Sequence, residues 1–185
     1  LDLMDGAGGD AALMPEGLRY AVTAVDLSPA RYVCGEAVAG KTKDSLMVAV
    51  DKIIAKYSSR GVKIKAFRTD HKFADNSLAT ELESRGIRLQ HSPPCEHSQN
   101  GTVERFIQTL ERHLRAMMMG RHVDCPYLWV KAMEYFLLLW NATTFVEFGV
   151  SAHFLFHGSK FDFDANPLLP FGCRVEALVE PTPTN

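Results

Sequence analysis

Three stretches of β character fall within the first 39 residues, and the connectors between them hold no helical pattern. Residues 1–4, Leu-Asp-Leu-Met, read as the end of a strand. Residues 19–26, Arg-Tyr-Ala-Val-Thr-Ala-Val-Asp, and residues 31–39, Arg-Tyr-Val-Cys-Gly-Glu-Ala-Val-Ala, read as two more. Parallel neighbours need a long crossover, usually a helix, so strands this closely spaced imply an antiparallel meander.

The pattern then changes period. Residues 41–61 repeat apolar side chains at Leu46, Val50, Ile53, Ile54 and Tyr57, which is helical spacing, and Gly61 closes the helix. Residues 62–69 alternate and predict a strand ending at Asp70. A short helix is predicted over 76–85, closed by Gly86, and a strand over 87–91. A loop with Pro93 and Pro94 follows, then long helices over about 101–119 and 125–143. From about 145 the chain reads as loop-rich, with a late strand-like piece at 170–181. A meander followed by strands alternating with helices implies an α/β fold, a mixed sheet covered by helices. The 185 residues, 46% of them apolar, suffice for one well-buried domain.

Composition excludes more than it assigns. A net charge of −2 gives no global attraction for a polyanion. The longest apolar run, Tyr135–Trp140, is too short to span a membrane, so no membrane partner is expected. Cys34, Cys95, Cys125 and Cys173 are scattered, with no Cys-x-x-Cys pair, and read as free thiols of a reducing compartment. The opening at Leu1, apparently inside a strand, reads as part of a longer polypeptide.

Three acids stand out by position. Asp2 lies in the first strand, flanked by Leu1 and Leu3 and so on the opposite face from them. Asp70 lies at the carboxyl end of the fourth strand, where open α/β sheets tend to build sites. Glu104 opens a helix. Carboxylates from three distant segments suit two hard divalent cations, which clamp the attacking and leaving oxygens of a phosphodiester. Asp5 is the alternative to Asp2 as the first acid. On the 101–119 helix, Val103, Ile107, Leu110, Leu114, Met117 and Met118 form an apolar stripe. Glu104, Gln108, Glu111 and Arg115 form a second stripe, with Arg105 and Arg112 beside it. Basic residues outnumber acidic ones by three over residues 85–131, which favours phosphate contact. His91 and His97 read as strand-end and loop histidines. His153 and His157 stand one helical turn apart with no evident third ligand.

The stretch "RTDHKF…LESRGIRLQHSPPCEHSQNGTVERFIQTLERHLRAMM" resembles the integrase catalytic core of retrotransposons and retroviruses. Family members read T-D-x-G-x-E-F, then G-I, then S-P-x-x-P-x-Q-N-G-x-x-E-R. The last motif matches through Gln99, Asn100, Gly101, Glu104 and Arg105, and 33 residues separate Asp70 from Glu104. Downstream, "LWVKAMEYFLLLWNATTF" and "LLPFGCRVEALV" are similar to the Ty1/copia type.

The resemblance implies a ribonuclease H-like fold with a mixed five-stranded sheet. Residues 1–145 would form the catalytic core and 146–185 a copia-type C-terminal extension. It implies a DDE-type polynucleotidyl transferase within a retrotransposon polyprotein, carrying out 3′-end processing and DNA strand transfer. Asp2, Asp70 and Glu104 would be its catalytic carboxylates and hold two Mg²⁺ or Mn²⁺ ions. Gln99, Asn100, Gly101, Arg105, Gln108, Arg112 and Arg115 would contact DNA. The implied setting is a homo-oligomer on DNA, in the nucleus or a virus-like particle. Two departures are visible. Lys72 stands where the family carries Gly, the usual acid and aromatic after it are lost with Phe73 and Asp75 nearby, and the proline before the amide turn is displaced to Pro93-Pro94. They keep open a second reading, a domesticated or decayed copy that binds nucleic acid or protein without catalysis.

Overall fold

The computed structural model describes residues 2–5, 17–69, 76–91, 101–119 and 128–173. Strands β1 (Asp2–Asp5), β2 (Tyr20–Val25) and β3 (Val33–Val38) form an antiparallel sheet in the order β1-β2-β3. Their register places Asp2 opposite Thr23, and Thr23 opposite Gly35. The meander read from the sequence is therefore present.

Helix α1 (Lys43–Ser58) follows. Thr42 caps it, its hydroxyl accepting from the Ser45 amide, and Gly61 leaves it at a φ of 72° that an L side chain resists. Its buried side is Leu46, Met47, Ala49, Val50, Ile53 and Tyr57, while Ile54 is half-buried. Strand β4 (Ala66–Thr69), helix α2 (Asn76–Ser84) and strand β5 (Arg88–His91) come next, β4 and β5 pairing in parallel. Then come helices α3 (Gly101–Met119), α4 (Leu128–Thr143) and α5 (Ala152–His157).

Three expectations need correction. Among the described residues the strands form two sheets, of three and two strands, rather than one of five. The strand expected over 62–69 is ordered as strand only from Ala66. Its register partner β5 begins at Arg88, so Val62–Lys65 have no ladder to join, apart from the Arg88 amide donating to the Lys65 carbonyl. The segment after 145 holds a helix the sequence reading left as loop. In α5, Ser151 caps the N-terminus by accepting from the Phe154 amide, and Gly158 ends it at a φ of 75°. The late strand-like piece at 170–181 lies largely outside the described residues, and Gly172 and Cys173 are not in a strand.

Two apolar cores lie on either side of the three-stranded sheet, because alternate strand residues face opposite ways. Val22, Ala24, Cys34 and Val38 pack with α1, α2, Phe67 of β4 and Ala152 of α5. Met4, Ala21 and Val33 pack with Phe106, Leu110 and Leu114 of α3 and with Trp129, Met133, Phe136 and Leu137 of α4. Gly35 lets α4 approach: a Cβ there would sit 2.9 Å from Leu137 Cδ1. The seat of α4 is completed by Asn141, whose side chain is buried. Its Oδ1 accepts from the Val33 amide and its Nδ2 donates to the Val33 carbonyl, each at 2.9 Å. A side-chain amide thus serves as the missing neighbour of an edge strand.

Truncating Asn141 leaves a buried N–H and C=O without partners, at a cost of about 2–5 kcal/mol. Asn141→Ala should lower the urea unfolding midpoint accordingly, while Asn141→Gln should not restore it. A wild-type midpoint in Asn141→Ala would show that the amide contributes nothing to the seat.

Candidate functional site

Helix α3 is amphipathic, and its first turn carries the carboxylate of interest. Val103, Phe106, Leu110 and Leu114 are buried, and Ile107, Met117 and Met118 are half-buried. The apolar stripe is thus wider than the sequence reading had it, extending to Phe106. Phe106 packs against Phe136 and Trp140 of α4, with ring centroids 6.2 and 5.5 Å apart. Glu104, Arg105, Gln108, Arg112 and Arg115 are all exposed. At 3.6 residues per turn they fall within an arc of about 100°, turned away from the buried side. Arg115 also meets Glu111 at 3.7 Å, a solvent-facing pair of little energetic weight. Glu104 makes no hydrogen bond or ion pair among the described residues.

A groove of about 470 Å³ places this helix start within the fold. Val103 lines it from α3. Ala24, Val25 and Asp26 line it from the carboxyl end of β2, and Phe67 and Arg68 line it from β4. Beneath lie Ile53 and Tyr57 of α1. Val103, the residue before Glu104, thus lines one groove together with the carboxyl end of β2 and with β4. Arg68 lies one residue short of Thr69, the last of β4, and Thr23, opposite Asp2, directly precedes Ala24.

The individual placements are as follows. Asp2 and Asp5 are the first and last residues of β1. Asp70, Gln99 and Asn100 lie outside the described residues, as do His97, Cys95 and Cys125. Gly101 is the first residue of α3, and Glu104 stands in its first turn. No group of three or more His, Cys, Asp or Glu side chains is assembled among the described residues. Cys34 is buried and Cys173 exposed, both as free thiols. Burial pushes the Cys34 thiol up to about 11, so it is no nucleophile at neutral pH. The sequence reading missed Arg68 as a groove residue. Its signal was the basic alternation of Lys63 and Lys65 leading into β4, with all three lining the groove.

No protein-family model and no curated protein sequence matches this chain. Among solved structures, the chain is similar to the catalytic core domain of BIV integrase. The TM-score is 0.57 at 16% sequence identity, covering 75% of this chain and 86% of that one. At that identity the likeness is one of fold. The chain has an α/β fold resembling that of a retroviral integrase catalytic core. No helix among the described residues is long and apolar enough to cross a membrane.

A second cluster of titratable groups lies on the α1 side of the sheet. His153 and His157 of α5 stack with centroids 4.1 Å apart, and His157 Nε2 lies 3.5 Å from the Tyr32 hydroxyl. Tyr32 itself stacks on Phe156 at 3.9 Å. Partial burial, then His153, Arg60 and Lys56, push the His157 imidazole down to about 4; burial and Arg60 push His153 down as well. A depressed imidazole favours the neutral form in the folded state. The unfolded chain takes up its proton first, near 6.5, so this contribution to stability falls as pH drops from about 6.5 to about 4. Carboxylates titrate at the lower end of that window, so the difference between two variants isolates the histidine. His157→Gln should show a shallower loss of urea stability between pH 6.5 and 4.5 than the parent chain. Equal slopes would remove His157 from the account.

Proposed function

We propose that this chain is the catalytic core of a DDE-type polynucleotidyl transferase that joins DNA ends to target DNA, of the retrotransposon integrase kind and Ty1/copia-like in its sequence motifs. The observation that carries the reading is the position of Glu104. It stands in the first turn of α3 next to Val103, which shares a groove with the carboxyl end of β2 and with β4, in a chain folded like an integrase core and bearing the Gln99-Asn100-Gly101-x-x-Glu104-Arg105 signature. In this reading the three-stranded and two-stranded sheets together form the scaffold of the site. Both contribute to the same core, Val22 and Ala24 from one and Phe67 from the other.

Asp2, Asp70 and Glu104 are the carboxylates of the site. The donor chemistry fits hard cations: the set is all oxygen, and Glu104 is exposed and uncommitted among the described residues. Two Mg²⁺ or Mn²⁺ ions held by these three residues would supply charge neutralisation at the scissile phosphate. The remaining work falls to the protein's own groups. Arg105, Gln108, Arg112 and Arg115 hold backbone phosphates along one face of α3, and Gln99, Asn100 and Gly101 hold the approaching strand at its start. Such contacts fix register and so convert a bimolecular attack into a positioned one. End trimming adds water across a phosphodiester and frees a 3′-hydroxyl. Strand transfer then forms one P–O bond as another breaks. The polypeptide acts as an oligomer on DNA, in the nucleus or a virus-like particle. Lys72, two residues after Asp70 where the family has Gly, favours a second reading: a domesticated copy that binds nucleic acid without turnover.

The two readings separate in one assay. Labelled duplex ends incubated with Mn²⁺ should yield trimmed and joined products. Glu104→Gln and Asp70→Asn should each lower the yield at least about a hundredfold, and Glu104→Gln should leave the urea midpoint unchanged because the side chain is exposed. Activity surviving in either variant would end the triad assignment, and no activity in the parent chain would select the second reading. Independently, Arg112→Ala should reduce the slope of log K against log salt for duplex binding by about 0.9.

A further inference from the structure

The cluster on α5 has an electrostatic oddity that the proposed strand-transfer site does not use. His153 and His157 stack face to face, and Lys56 in the last turn of α1 and Arg60 just past its end are cations whose charge opposes protonation of His157. Lys56 Nζ sits 5.4 Å from the centre of the Tyr32 ring, whose hydroxyl faces His157. Other lysines of α1 have acidic partners: Lys43 meets Glu81 at 3.7 Å and Lys52 meets Glu36 at 3.3 Å. Lys56 and Arg60 form no ion pair among the described residues. Two carboxylates, Asp26 and Asp162, are held within their own turns rather than ion-paired to these cations. The Asp26 carboxylate accepts from the Ser28 amide and hydroxyl at 2.8 and 2.7 Å. The Asp162 carboxylate accepts from the amides of Asp164 and Ala165 at 3.0 and 2.9 Å. The remaining titratable neighbours, Tyr32, Tyr57 and Cys34, are neutral at physiological pH because burial raises each of them.

Four nitrogen-bearing side chains thus lie around Tyr32 and α5 with no carboxylate ion-paired to them among the described residues, two of them fixed cations and two able to become so. Two stacked imidazoles beside two cations resist protonation unless an anion joins them. A tetrahedral oxyanion would accept from an imidazolium, an ammonium and a guanidinium at once, which are the stronger, charge-assisted kind of hydrogen bond. We propose that His153, His157, Lys56 and Arg60 form a phosphate-binding site on the α1 face of the sheet, across it from α3. Binding takes up protons at the histidines, so the site strengthens as pH falls. It requires neither the metal carboxylates nor the strand-transfer reading.

The test uses the full chain with histidine ring resonances followed by NMR. Sulfate is the first probe, since its charge does not change over the pH range used. Affinity should rise at least about tenfold from pH 7.5 to pH 5.5, with the His153 and His157 ring signals moving together toward their protonated positions. Lys56→Met and Arg60→Met, both at exposed positions, should each weaken binding several-fold and leave the urea midpoint in place. Inorganic phosphate and a short DNA duplex then distinguish the source of the phosphate. Loss of duplex affinity in Lys56→Met with Arg60→Met points to a nucleic-acid backbone. Unchanged duplex affinity with retained phosphate binding points to a free phosphate or monoester. No saturable shift of the ring signals at pH 5.5, or binding indifferent to both cation substitutions, would overturn the proposal.

Discussion

The paired hydrogen bonds between Asn141 and Val33 set where everything on the α3 side of the sheet can lie. β3 is an edge strand, and an uncovered edge invites pairing with another chain. Here one side-chain amide satisfies both backbone groups of Val33 and, in the same act, fixes the rotation and height of α4. Gly35, two residues on, removes the Cβ that would hold Leu137 away. With α4 fixed, Phe136 and Trp140 form the wall against which Phe106 packs, and α3 takes its rotation from that contact. Turning α3 by one residue's worth, about 100°, toward its buried side would carry Glu104 to the buried position of Val103. The presentation of the proposed catalytic carboxylate therefore depends on a neutral amide on a different helix.

That dependence explains what the sequence could and could not disclose. The meander, α1, α3 and the parallel pair β4–β5 follow from local periodicity and from Gly61 and Gly86, which announce the turns. α3 begins and ends where its pattern does, and Glu104 reads correctly as a first-turn acid. Asn141 was invisible because its partner lies 108 residues away and nothing local marks a buried amide. β4 was read too long because alternation in Val62–Lys65 reports side-chain pattern, while a strand also needs a neighbour with matching register. α5 was missed for a simpler reason. Six residues give too little periodicity to register, although Ser151 and Gly158 carried both of its boundary signals.

The two cores give the two faces of the sheet different chemistry. On one, the outer surface of α3 displays Arg105, Arg112 and Arg115 around a single uncommitted acid, Glu104. That arrangement suits a ligand that brings both phosphate and divalent cations. On the other, α5 holds histidines near cations that form no ion pair among the described residues, which suits an anion arriving without a metal. A net charge of −2 conceals both, since acids on α2 and β3 cancel the surplus in the total while lying close to their own lysines and arginines.

The groove links these faces through the strand ends. Asp26 at its rim is held by Ser28, and the Asp26 amide is bonded to the Tyr32 carbonyl, so the β2–β3 turn is braced internally. The same turn delivers Tyr32 to the stack with Phe156 and to the edge of His157. A displacement of α5 would thus reach the lip of the groove through Tyr32 and Asp26, a path of direct contacts. Energetic coupling along such a path requires that its members have two arrangements. The stacked histidines are the pair on that path whose protonation burial and the neighbouring cations oppose, which places any such coupling under the control of α5 rather than α3.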